Sequence, residues 1–271
     1  MGLMSAPTRQ ATREIIAGLI AEFDKGRAVF KDARKYDEAK VRAGFIDPFF
    51  EALGWEVKAG QRRVGRDREV IVEDRAGCGN RRRPDYGFYL SGELKFYVEA
   101  KQPSRGLAGD LDAVYQLKSY VWSKRVPLGL LTDFEELLAF HGAYKPRHDK
   151  PDVGKVERLC LMYDAYVDQF DLIYGCLSRE AVLDGAIDRL LAELLAATVR
   201  QRGQVERDLF KARGAKAVDT DFLEALTAWR EEIAKELGVH DRTQETLVRP
   251  ARRTASQRAA LPERGDAQQV A

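Results

Sequence analysis

Asp85, Glu99 and Lys101 are the residues of this chain whose types and spacing could do chemistry. They lie in a stretch from Pro84 to Lys101 that reads as two short strands joined by a Ser91-Gly92 turn. In the second strand Phe96, Val98 and Ala100 share one face, and Tyr97, Glu99 and Lys101 share the other. The first set is apolar and predicts a core face. The second sets a carboxylate beside an ammonium. If the strands pair, Asp85 comes close to Glu99. Two carboxylates and a lysine make an oxygen-rich site for a hard divalent cation, with Mg²⁺ the expected ion. Such a site can hydrolyse a phosphodiester. The metal activates a water and offsets phosphate charge, and the lysine orients or deprotonates that water. The same residue types two apart on a strand also make an ordinary solvated face, so the surroundings decide.

Those surroundings are basic. Residues 58–106 hold twelve Lys/Arg against seven Asp/Glu, in a chain whose net charge is only +2. A local excess of this sign suits a polyanion. Arg81, Arg82 and Arg83, in a glycine-containing turn before Pro84, are candidate phosphate contacts.

The elements that must position these residues follow from periodicity. A helix is predicted over Thr12–Asp24, capped by Thr12 and ended by Gly26. A second runs over Asp37–Leu53, interrupted at Pro48 by a kink or as two abutting segments. It supplies two further acids, Glu38 and Glu51, either of which could face the metal. Trp55-Glu56-Val57 should begin a strand, and Glu69–Glu73 another. A helix over Ala108–Ser123 places Gln116 and Tyr120 on one face. Strands follow at 126–132 and 137–140. This alternation predicts an α/β fold with a mixed central sheet flanked by helices. Residues 142–158 read as a loop. Beyond it the chain turns helical, near 178–199 and 219–237. Residues 239–271 lose the pattern, and five arginines against one acid over 249–264 predict a basic, disordered tail.

Other chemistries find no support. Cys78, Cys160 and Cys176 form no metal-type pair, and a reducing cytoplasm suits them. The three histidines are scattered, which argues against a zinc site or a Ser/His/Asp arrangement. No stretch reads as a membrane span.

Pro84-Asp85, Glu99-Ala100-Lys101 and Gln116-x-x-x-Tyr120 together resemble the PD-(D/E)xK nuclease superfamily, in particular its RecB-like branch. Glu38 to Arg42, Phe45 to Trp55, Phe96 to Pro103 and Leu131 to Phe134 resemble type IIG restriction–modification enzymes. Those are single chains joining a nuclease, a helical connector, an adenine methyltransferase and a target-recognition domain. The resemblance implies a restriction-endonuclease-like fold followed by an all-helical connector. The expected division is an N-terminal helix over 1–36, a nuclease domain over 37–145, a connector over 146–238 and the tail over 239–271.

The resemblance also implies Asp85, Glu99 and Glu38 as Mg²⁺ ligands, Lys101 as the catalytic lysine, and Gln116 and Tyr120 as supporting or DNA-contacting residues. Double-stranded DNA is the implied substrate, and a homodimer would serve a double-strand break. The chain carries no Asn-Pro-Pro-Tyr motif, and Asn80 is its sole asparagine. The expectation is therefore a truncated or split enzyme with a separate methyltransferase and recognition partner. The alternative is a noncatalytic module that binds DNA or docks such a partner.

Overall fold

The Ser91-Gly92 turn folds back as the sequence predicts, with both residues in the left-handed region (φ 52° and 77°). This backbone matches the twist of a two-residue hairpin. It pairs β2 (Tyr86–Leu90) with β3 (Glu93–Ala100), with Phe88 opposite Phe96 and Tyr86 opposite Val98. The computed structural model describes residues 7–60, 68–73 and 84–212. Cys78, the Arg81–Arg83 run, the helix expected over 219–237 and the tail over 239–271 lie outside these.

Four further strands complete a six-stranded sheet in the order β1-β2-β3-β4-β5-β6. They are β1 (Val70–Val72), β4 (Leu128–Thr132), β5 (Glu136–His141) and β6 (Leu161–Met162). β3 and β4 are parallel and every other pair is antiparallel. The sheet is mixed, as expected. Its one parallel step is made by a helical crossover, α5 (Leu111–Lys124). Asp110 caps α5 by accepting from the Ala113 N–H at 3.0 Å.

Both faces are covered. On one, Phe96, Val98, Ala100, Leu128 and Leu130 pack with α1 (Arg9–Phe30) and α3 (Asp47–Ala52) in the larger core. Phe88 and Phe96 stack there with centroids 4.3 Å apart, and Trp55 meets both edge-on. On the other, Tyr97 and Leu131 pack beneath Val114, Leu117 and Val121 of α5. This α/β arrangement of a mixed sheet between helices is consistent with a restriction-endonuclease-like fold. Residues of α6 (Phe170–Leu177), α7 (Arg179–Leu183) and α8 (Ala186–Ala212) join the larger core through Ile173, Leu177, Val182 and Ile187. Among the described residues no helix is long and apolar enough to cross a membrane.

Several sequence expectations are corrected. α1 starts at Arg9 under a Thr8 cap and passes through Gly26 to Phe30. Thr12 is a buried helix residue whose hydroxyl donates to the Ala52 carbonyl at 2.8 Å. Of the two forms expected around Pro48, the chain takes abutting helical segments, joined by a π turn. α2 (Glu38–Val41) continues through Arg42–Ile46 into α3, and the Asp47 N–H reaches back to the Arg42 carbonyl. The longer step accommodates Pro48, which has no N–H to give, in the first turn of α3. Trp55 begins no strand; Val57–Gly60 is a short helix, α4. Trp55 is buried, with its indole donating to the Leu177 carbonyl at 2.8 Å. The helix expected near 178–199 is broken because Ser178 caps α7 and Gly185, at φ 79°, ends it.

Candidate active site

The site forms where β3 ends. The hairpin register, extended one residue past Tyr86–Val98, sets Asp85 opposite Glu99. Asp85 is held at both oxygens. Its Oδ2 accepts from the Ala100 N–H at 2.8 Å, and its Oδ1 accepts from Arg42 Nη1 at 3.1 Å. Glu99 lies under α5 and is 3% exposed. Its Oε1 accepts from Lys101 Nζ at 2.6 Å and from Gln116 Nε2 at 2.7 Å. Its Oε2 is buried and has no hydrogen-bond partner. Glu38, in the first turn of α2, brings Oε2 to 3.8 Å from Lys101 Nζ.

Thus Asp85, Glu99, Lys101, Glu38 and Gln116 are brought together. Tyr120 packs in the smaller core on α5. Glu51 turns away, accepting from the Lys58 N–H at 3.1 Å, with the Lys58 ammonium also at 3.6 Å. Of the two helix acids left open by the sequence, Glu38 faces the site.

Two neighbours escaped the sequence reading. Arg42 stacks over the Tyr86 ring at 4.8 Å from its centroid, and its Nε donates to Tyr86 Oη at 3.2 Å. Tyr86 donates in turn to Asp47 Oδ1 at 2.6 Å. The sequence offered only a partial signal: Arg42 is four residues from Glu38 and Tyr86 follows Asp85, but nothing local joins the two segments.

The electrostatics follow from burial. Desolvation, then repulsion from Asp85, pushes the Glu99 carboxyl up to about 7, against the pull of Lys101. Burial also raises Asp85, opposed by the Ala100 N–H and by Arg42. Glu38 is raised by burial and then by Asp85. Three carboxylates therefore crowd two cations, and one acceptor atom is unmatched.

Does this donor set suit a divalent cation? Among the described residues no three His, Cys, Asp or Glu side chains close into a metal cage. Magnesium does not require one, because it keeps several waters and takes one or two carboxylates. Asp85 and Glu99 supply that pair, both hard oxygen donors. The unpartnered Oε2 is the kind of atom a cation would satisfy.

Over 221 residues, 80% of this chain, the sequence is 28% identical to the type II restriction enzyme and methyltransferase RM.Eco57I of Escherichia coli. The chain spans about a fifth of that relative's length, 20%. The similarity supports a relationship to restriction enzymes. No family model matches the chain, and no solved structure matches it.

Proposed function

We propose that this chain carries the DNA-cutting centre of a restriction–modification system, a Mg²⁺-dependent endonuclease of the PD-(D/E)xK type with the Gln-x-x-x-Tyr variant. The observation that carries the reading is the Glu99 carboxylate, whose Oε1 is bonded to Lys101, whose buried Oε2 has no hydrogen-bond partner, and on which the Asp85 charge acts. Similarity to an enzyme whose name joins restriction and methylation supports the substrate, double-stranded DNA.

Asp85 and Glu99 would hold the metal, with Glu38 completing the acidic wall. Bound magnesium makes its water acidic and offsets charge on the phosphate being cleaved. The chain's own groups do the rest. Lys101, an ammonium poised between Glu99 and Glu38, donates to the attacking water and orients it. Gln116 fixes Glu99 by its hydrogen bond to Oε1. The smaller core beneath α5 keeps this corner of the sheet dry, which strengthens each electrostatic contact. One such site cuts one strand, so a double-strand break calls for two copies of the chain. Target recognition and methylation would fall to other domains or a partner subunit, with the reaction in the cytoplasm.

The test is conversion of supercoiled plasmid to nicked and linear forms with Mg²⁺, for the wild type and for Asp85→Ala. Loss of cleavage in a folded variant is expected. Equal cleavage by the two proteins would remove the catalytic role of Asp85.

A further inference from the structure

The guanidinium of Arg42 touches the proposed metal ligand Asp85, and two readings compete for it. It could be a stand-in, occupying the place a cation takes and leaving when the cation arrives. Or it could be a permanent part of the wall. The contacts favour the second. Arg42 is held by groups that have nothing to do with the carboxylates. Its Nε donates to Tyr86 Oη at 3.2 Å, its plane lies over the Tyr86 ring at 4.8 Å, and its side chain is 17% exposed. The Tyr86 hydroxyl is oriented in turn, because it donates its proton to Asp47 Oδ1 at 2.6 Å and so presents a lone pair to Arg42. Leaving would break the Nε bond and the ring contact together. The backbone adds a constraint: Arg42 opens the π turn, whose carbonyl accepts from Asp47 N–H. Arg42 and Asp47 are thus tied by main chain and by a side-chain bridge through Tyr86.

We propose that Arg42 is a fixed countercharge in the wall of the site, bonded to Asp85 Oδ1, and that it keeps that contact when a divalent ion binds. It acts through Asp85 and touches neither substrate nor ion. This inference rests on the metal-site reading given above. Its consequence for binding has a definite sign. Asp85 is steered at its other oxygen by the Ala100 N–H, so removing Arg42 leaves the ligand oriented and only subtracts a nearby positive charge. Arg42→Ala should then bind a divalent ion more tightly, by about 3- to 10-fold for a unit charge several ångströms from the ion at high effective dielectric.

The experiment uses the full chain and Mn²⁺ alone, without DNA. Mn²⁺ affinity is read by electron paramagnetic resonance for wild type, Arg42→Ala and Arg42→Gln, the last preserving bulk should alanine unfold the helix. Crystals of the wild type soaked in Mn²⁺ give the second readout. Expected are tighter Mn²⁺ binding in both variants and a guanidinium still within hydrogen-bonding distance of Asp85 in the loaded crystal. Weaker binding in folded variants, or Arg42 swung off Asp85 with Mn²⁺ present, would overturn the inference while leaving the metal site standing. Failure of wild type to bind Mn²⁺ would overturn both.

Discussion

Replacing Glu99 by glutamine should stabilise the ion-free protein and abolish its response to magnesium. The sign comes from linkage. The folded carboxyl titrates near 7, above its ordinary 4.5, because burial and Asp85 oppose its charge. Below about pH 4.5 it is neutral in both states and adds nothing. As pH rises from there to 7, the unfolded chain ionises first, so stability falls, and above 7 the whole penalty is present. A shift of this size corresponds to a ceiling of about 3 kcal/mol, at about 1.4 kcal/mol per unit. Lys101 and Gln116 bond less strongly to an amide oxygen than to a carboxylate, which cuts the expected gain to about 1 kcal/mol. Urea unfolding of wild type and Glu99→Gln at pH 5 and pH 8, with and without 10-fold steps of Mg²⁺, measures this. The variant should gain at pH 8, show little difference at pH 5, and ignore magnesium, whereas the wild type is stabilised by it. A Glu99→Gln protein that loses stability at pH 8, and that Mg²⁺ stabilises as it does the wild type, would refute both the strain at Glu99 and its place as ligand.

Gln116→Ala removes a hydrogen bond to the buried Glu99 carboxylate; the pH midpoint of Mn²⁺ binding should rise by about one unit, checked by titration between pH 6 and 9. Gly129→Ala would set a Cβ 2.4 Å from Val121 Cγ2 and 3.1 Å from Leu117 Cδ1, forcing α5 away from β4. It should cost about 1–3 kcal/mol in a chemical melt and weaken Mn²⁺ binding, because Gln116 rides on the same helix. Asp133, buried and pushed up to about 7 by desolvation, should make stability fall as pH rises from about 4 to 7. Asp133→Asn keeps an acceptor for the Glu136 N–H and should flatten that slope in urea melts across the range, with most of the gain above pH 7.

How much of this was legible in the sequence depends on the range of the interaction. The hairpin was, because Ser91-Gly92 and the alternation through Ala100 are local signals. So was α5, from its apolar periodicity. Glu38 was favoured over Glu51 only by the resemblance, since periodicity makes both helix acids; in the fold Glu51 is bonded at Lys58 instead. The face holding Tyr97 and Glu99 was read as the charged side of the strand. In the fold it is buried, because α5 closes over it, and no local pattern announces that lid. The strand expected at Trp55 failed for a similar reason. Trp55 is buried against Phe88 and Phe96 of the sheet face, with its indole bonded to the Leu177 carbonyl more than a hundred residues away, rather than by strand pairing. Arg42 went unassigned because its partners, Tyr86 and Asp85, lie on another element.

The charges around Glu99 are not those that would make the most stable protein. Replacing Glu38 by a residue of neutral shape, or adding a third cation, would quiet the repulsion among the acids. An unsatisfied buried acceptor costs about 1–3 kcal/mol, and here the shortfall is concentrated on one atom, Glu99 Oε2, while Oε1 is bonded twice. Crowding that served packing alone would have no reason to leave one oxygen bare beside a doubly bonded one. A site awaiting a small cation does have a reason. Lys101 and Gln116 fix the carboxylate through Oε1, the Ala100 N–H steers Asp85, and the charges of the two acids act on each other. On this reading the strain is the binding energy held in reserve, which is why stability and magnesium affinity should move in opposite directions when Glu99 loses its charge.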